Sequence, residues 1–184
     1  MSEPGGQEVM ESRIYPVRER LRAITHQQVK PLLDAKHEAD PVAGIAIANL
    51  VDIEPVTTDK GEYHFHAARV FTSSPEHPNF VNPHYHTKGE EPYRILSGEG
   101  GEMNLGRVEN GSVVWDTPFQ VKEGQEIEVQ EGQVHSLRNT GEEPLDFTFA
   151  CPDEHLIDNS SEHPEGDRYI VRDLPNGIPP QYPR

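Results

Sequence analysis

The 184 residues carry a formal net charge of −16, and only 33% of them are hydrophobic. That length holds one domain with a modest core, and so acidic a surface repels phosphate backbones and anionic lipid, which argues against nucleic acid and membranes as partners. Cys151 is the single cysteine; it excludes an internal disulfide and a thiolate-rich metal site and fits a reducing, cytoplasmic setting.

The chain opens on "MSEPGGQEVMES", which has neither the basic start nor the apolar stretch of a secretory signal. Residues 1–13 are expected to form a disordered or loosely packed tail. From Pro16, "PVRERLRAITHQQ" sets Val17, Leu21 and Ile24 at spacings of four and three. This predicts a short amphipathic helix packed on the outside of the domain, with Pro31 ending or kinking it. No apolar run approaches the roughly 20 residues that span a bilayer.

From residue 42 to 151, short β-rich runs alternate with turn residues, as in "VAGIAIANLV", "PYRILSG" and "GQEIEVQEG". Strands of that length and spacing predict an all-β sandwich or barrel. In "PLDFTFAC", Leu145, Phe147, Phe149 and Cys151 share one face, the alternation of a half-buried strand. Cys151 reads as a small packed hydrophobe. Glu126 and Glu128, alternating with Ile127 and Val129, read as a solvated strand face.

In "EYHFHAARV", Tyr63, Phe65 and Ala67, with Phe71 beyond, make a stronger apolar face than the one bearing His64 and His66. The histidines are therefore expected to face outward and Arg69 inward. An inward arginine needs an anion. A substrate carboxylate or phosphate would make Arg69 a catalytic candidate; a buried ion pair is the alternative. After Cys151 the chain turns polar and ends in "DLPNGIPPQYPR", an extended arm over 173–184 that four prolines keep out of helix or central sheet. The domain proper is expected over 14–172.

The chemistry concentrates in "NPHYHTKGEEPYRILSGEG". In an extended strand residues two apart share a face, so His84 and His86 point the same way and Tyr85 turns away. Two inward imidazoles are costly unless something binds them, and a divalent metal ion is the natural partner. A carboxylate and a third histidine would complete a shell with open positions. "GQEIEVQEGQVHSLRN" offers that histidine, His135.

The first stretch reads H-x-H, four residues, E, six residues, G, from His84 through Glu91 to Gly98. The second reads G, five residues, Q-E-G, two residues, H, three residues, N, from Gly124 to Asn139. Together they resemble the paired motifs of the cupin superfamily over roughly residues 80 to 140. The resemblance implies a double-stranded β-helix, the jelly-roll cupin barrel. It implies one divalent transition metal (Fe, Mn, Zn or Ni) held by His84, His86, Glu91 and His135. Gly98 and Gly124 would serve turns, Gly132 the bend before the last ligand, and Asn139 a structural role. Three features depart from the pattern: Gln130 stands where the family has proline, Glu90 competes with Glu91 as the carboxylate, and Pro92 predicts a bulge or an edge.

Tyr93 shares the face of Glu91 and is a catalytic candidate, able to donate a proton or hydrogen bond to a bound substrate. Strand parity lines the pocket with Tyr93, Ile95, Met103, Leu105, Ile127, Val129, Leu137, Phe147 and Phe149. The family resembled spans dioxygenases, decarboxylases, sugar isomerases and epimerases, and non-catalytic binding proteins. An apolar lining favours a metal-dependent enzyme with dioxygenase-like chemistry on a small molecule. A metal-dependent sugar or sugar-phosphate isomerase or epimerase, and a non-catalytic metal-dependent binding or sensor module, are the alternatives. Exposed strand edges and the N-terminal segment predict a homodimer.

Overall fold

The structure, a computed structural model, describes residues 14–72 and 79–182. The expected tail over residues 1–13 lies outside the described residues. Two helices come first, α1 (Tyr15–Ala23) and α2 (His26–Ala39), where the sequence predicts one. The break falls at Ile24, not at Pro31. Thr25 caps α2: its hydroxyl accepts from the Gln28 amide while the Gln28 side chain accepts from the Thr25 amide. Pro31 sits inside α2, which Val29 and Leu33, both fully buried, hold against the sheet.

The strands are β1 (Ile45–Asn49), β2 (Val56–Thr58), β3 (Gly61–Val70), β4 (His84–Tyr85), β5 (Glu91–Ser97), β6 (Gly101–Glu109), β7 (Ser112–Trp115), β8 (Phe119–Val121), β9 (Glu126–Val129), β10 (Val134–Asn139), β11 (Leu145–Cys151) and β12 (Tyr169–Ile170). One six-stranded sheet runs β1-β3-β11-β5-β9, with β2 paired to β3. The other runs β12-β4-β10-β6-β7, with β8 paired to β6. All these pairings are antiparallel. From β9 to β12 each strand crosses to the other sheet, which is how a jelly roll winds its two layers together.

The inner faces meet in one apolar core that includes Ala68, Val70, Ile95, Met103, Ile127, Leu137, Phe147 and Phe149. The outer face of the first sheet is covered too. Ile14, Val17, Leu21 and Ile24, with Val29 and Leu33, pack on Tyr63, Phe65, Ala67, Leu96 and Ala150. Arg94 ties the layers by donating to the Leu21, Arg22 and Ile24 carbonyls that end α1. Glu126 and Glu128 are not a bare solvated face: Arg22 pairs with Glu126 at 2.6 Å, and Arg18 reaches Glu126 and Glu128 at 3.4 Å.

The outer face of the second sheet is covered by the C-terminal arm, described to residue 182. Tyr182 is buried, its hydroxyl 3.0 Å from both Asn104 Nδ2 and Ser136 Oγ, with the Arg138 guanidinium 4.7 Å from its ring. Earlier in the arm, the Asn176 carbonyl accepts from Trp115 Nε1 at 2.7 Å. Among the described residues no helix is long and apolar enough to cross a membrane.

Covering both faces of the first sheet corrects two expectations about β3. Tyr63, Phe65 and Ala67 do share a face, but it is the one under the helices. His66 therefore turns inward, 2% exposed and stacked on Phe149 at 5.0 Å, and Arg69 turns outward toward α2. Pro92 introduces no bulge. It pairs in register with Glu128, beyond the last β11 partner of β5 at Tyr93, so its missing N–H interrupts no ladder. The register shift lies instead between Asp146 and Phe147.

Candidate metal centre

β4 and β10 are neighbours, and their single paired position sets His84 opposite His135. The chain leaves β4 through His86, whose carbonyl accepts from the Gly132 amide at 2.7 Å. Gly132 holds φ +78°, a left-handed conformation that a side chain would strain, and so lets the bend before β10 reach back to the first motif. Glu91 opens β5 on the facing sheet. Three imidazoles from one sheet thus meet one carboxylate from the other.

One donor atom from each of His84, His86, Glu91 and His135 lies within 4.8 Å of every other, and all four residues are buried. Each imidazole is oriented by its far nitrogen. Nδ1–H of His84 donates to the Asn82 carbonyl at 2.5 Å, that of His86 to Asp167 at 2.9 Å, and that of His135 to Gln133 at 3.3 Å. A carbonyl only accepts, so each Nε2 is left with a bare lone pair directed at the cluster. Glu91 Oε2 stands 2.8 Å from His86 Nε2 and 3.4 Å from His135 Nε2. These contacts are close but misaligned, and none of the three atoms has a hydrogen-bond partner.

The electrostatics say the same. Burial, then the neighbouring His135 and His86, holds His84 well below the usual imidazole range. Burial would lift the Glu91 carboxyl, but His86 and His135 together outweigh it and the group is held well below its ordinary value. Burial would lower His86, but Glu91 and Asp167 together outweigh it and the imidazole is raised. Three imidazoles and one carboxylate, all buried, are a donor set that could hold a metal ion.

Glu90, the competing carboxylate, does not join the cluster; its carbonyl accepts from the Tyr63 hydroxyl at 2.7 Å. Tyr93 lies beside the cluster, 5.9 Å from the His135 ring, with its phenol pushed well up first by burial and then by Glu91. It stays protonated and able to donate. Arg69 is not brought to the cluster. Its guanidinium holds Asp146 through Nε at 2.6 Å and Nη2 at 2.8 Å, and Asp34 through Nη1 at 2.8 Å. Asn139 is structural: its amide donates to the Val70 and Glu143 carbonyls and its oxygen accepts from Gly141. Cys151 is buried and its thiol pushed well up by that burial.

Two residues that the sequence reading passed over support the centre. The Asp167 carboxylate accepts from the Thr87 amide and hydroxyl and the Lys88 amide, fixing the loop just past His86. His155, on a short 3-10 turn (Asp153–Leu156), stacks on His86 with ring centroids 3.9 Å apart. A cavity of about 210 Å³ opens beside the cluster, bordered by His84, Glu91, Tyr93 and His155 and walled by Ile45, Ala68, Val81, Phe147, Phe149 and Leu156 among others. Of the nine expected lining residues only Tyr93, Phe147 and Phe149 border it; Ile95, Met103, Ile127, Val129 and Leu137 are buried in the barrel core, with Leu105 packed against it.

Two antiparallel sheets wound into one another, with the paired motifs converging between them, settle the architecture. The fold is that of the cupins. Solved structures with a similar barrel include an oxalate oxidase in complex with glycolate, at 18% identity over 58% of this chain and 50% of that one (TM-score 0.45). A cupin-2 domain protein from Rhodospirillum rubrum is 15% identical over 61% of this chain and 62% of its own (TM-score 0.43). The polyketide cyclase RemF from Streptomyces resistomycificus is 16% identical over 59% of this chain and 65% of its own (TM-score 0.40). The chain spans less than two-thirds of the length of those proteins, and the likeness is one of fold. No family model and no curated protein matches the sequence.

Proposed function

We propose that His84, His86, Glu91 and His135 hold one divalent transition metal, and that the chain is a metal-dependent enzyme acting on a small molecule in the adjoining cavity. One observation carries the reading: Nε2 of His86, Nε2 of His135 and Oε2 of Glu91 converge, buried, without a hydrogen bond among them. Bare acceptors at that distance repel in a low dielectric unless a cation lies between them. Imidazole nitrogen and carboxylate oxygen suit iron, manganese, zinc or nickel. When bound, such an ion supplies Lewis acidity or, if redox-active, oxygen chemistry beside a chelating substrate.

The chain's own residues do the rest. Backbone carbonyls fix three tautomers, Tyr93 keeps a proton to donate at the cavity wall, and aromatic and aliphatic side chains line much of the cavity. Walls of that kind favour dioxygenase-like chemistry over turnover of a polyol. Isomerase or epimerase chemistry has one observation in its favour. His155 Nε2 is 2.8 Å from the Lys88 carbonyl and Nδ1 has no partner, so a neutral base borders the cavity.

Metal analysis of protein never exposed to a nickel column is the first test. About one ion per chain is expected in the wild type and far less in His84→Ala; equal loads in the two would overturn the site. Iron loaded under anaerobic conditions, with oxygen uptake on adding small chelating acids, supports the oxygenase. Solvent deuterium exchange into a carbonyl compound supports the isomerase. Ligand-induced stabilisation without either leaves a binding module.

A further inference from the structure

The next step rests on the metal reading above and concerns the far end of the substrate. The cavity beside His84 and Glu91 has largely apolar walls and, among the described residues, one permanent cation on its border, Arg168. Arg168 is held by the same segment that supports the centre. It follows Asp167 directly, its amide donates to the Ile157 carbonyl at 3.1 Å, and its own carbonyl accepts from Asn159 at 2.9 Å. The loop that steadies His86 therefore also places this guanidinium.

The side chain is used only in part. Nε donates to Asp158, and no described residue takes a hydrogen bond from either terminal amino group. Arg69 is the useful contrast, since there Nε and both terminal nitrogens are engaged by two carboxylates. Arg168 is also only partly covered, 32% exposed, beside a hollow whose lining is mostly apolar away from His84, Glu91, Tyr93 and His155.

We propose that Arg168 orients the substrate, and that the substrate is a compact monocarboxylate whose apolar body spans the cavity from Arg168 to the His84–Glu91 centre. A guanidinium presents a planar pair of donors that matches a carboxylate. With Asp158 already on one edge and Glu91 at the base, a singly charged anion is better matched than a doubly charged phosphate. The volume of about 210 Å³ limits the ligand to a small molecule.

The test uses the full chain loaded with cobalt(II), whose visible spectrum reports ligand binding. Two probes are titrated: the monohydroxamate of succinic acid, with its free carboxylate, and the same molecule capped as the methyl amide. The carboxylate probe is expected to bind about tenfold tighter or more. Arg168→Gln should abolish that preference while leaving the amide's affinity and the cobalt content unchanged. Asp158→Asn should retain it.

Equal binding of the two probes to the wild type, or a preference that survives in Arg168→Gln, overturns the proposal. So does a parallel loss for both probes in Arg168→Gln and Asp158→Asn, which would make the ion pair a brace for the loop. If Arg168→Gln fails to fold, Arg168→Lys must still prefer the carboxylate, or the idea falls. A wild type that takes up no cobalt defeats the metal reading itself, and metal analysis alone tells that failure from the others.

Discussion

The two ends of β5 carry opposite kinds of buried charge. Glu91 begins the strand and Ser97 ends it, six residues and about 20 Å apart. At the Ser97 end, Arg69 and Asp146 are 7% and 2% exposed, and every nitrogen of the guanidinium has a carboxylate partner. His26 Nε2 adds a third contact to Asp146 at 2.7 Å. At the Glu91 end, three acceptors face one another with no donor between them. A cluster that satisfies itself is architecture, whereas one made of bare acceptors is a candidate for cation binding. Hollow size is a poorer guide: the groove bordered by His26, Lys30, Arg69, Glu123 and Asp146 is about 1230 Å³, far larger than the cavity at the centre.

The self-satisfied end also holds a decoy. His26 stands in hydrogen-bond reach of both Ser97 Oγ and Asp146, as a base between a nucleophile and its orienting acid would. Both contacts fall on the same nitrogen, His26 Nε2, at 3.2 and 2.7 Å. A relay needs the acid on one ring nitrogen and the nucleophile on the other. His26 therefore braces α2 against β11 and β5, and activates nothing.

Breaking the complete cluster should give the largest effect on stability. Asp146→Asn leaves Arg69 buried with only the half-exposed Asp34 as a charged partner, and is expected to cost about 3–5 kcal/mol, read from the urea midpoint with metal content unchanged. The pair replacement Arg69→Met with Asp146→Leu should recover most of that loss. Metal loss without a change in unfolding would show that the roles of the two ends had been exchanged.

The incomplete cluster should respond in the reverse sense. His84→Ala is expected to weaken metal binding by more than about a hundredfold, since groups one step removed from a metal already change affinity about 10–100-fold. It should cost the metal-free fold less than Asp146→Asn does, because His84 borders a cavity that already exists. Chelator competition measures the first quantity and urea unfolding of stripped protein the second. A smaller effect, about tenfold on metal affinity, is expected for Asp167→Asn, which loosens Thr87 and Lys88 without touching a donor atom.

The convergence of the four candidate donors was legible in the sequence because its signal is local. His84 and His86 share a strand face, and the two stretches supply the remaining donors at spacings that survive the change at Gln130. The layers were not legible. Alternation in β3 shows which residues share a face, but with helices outside and a core inside, both faces are buried, and nothing local says which looks inward. His66 and Arg69 were misplaced for that reason. The helix break could have been read, since Thr25 and Gln28 stand at capping-box spacing. His155, Asp167 and Arg168 had no such signal: they sit in an irregular segment, and their relation to His86 and the cavity exists only in three dimensions.

The mildest test uses a contact between α1 and β9, where charge is paired but exposed. The hydrogen bond from Arg22 holds the Glu126 carboxyl below its ordinary range, outweighing the burial that would raise it, with Arg18 adding to the effect. A carboxylate whose folded value is depressed stabilises the fold above its unfolded value, about 4.3, and loses that contribution as pH falls through the folded value. Arg22 is 44% exposed on its side chain, so the pair is screened and a loss of only about 0.5 kcal/mol is expected for Glu126→Gln at pH 7. The gap between wild type and variant in urea should close toward pH 3 and shrink at high salt. A gap that widened with acid would mean that Glu126 is stabilised by protonation, and that α1 is held to the barrel by its apolar face alone.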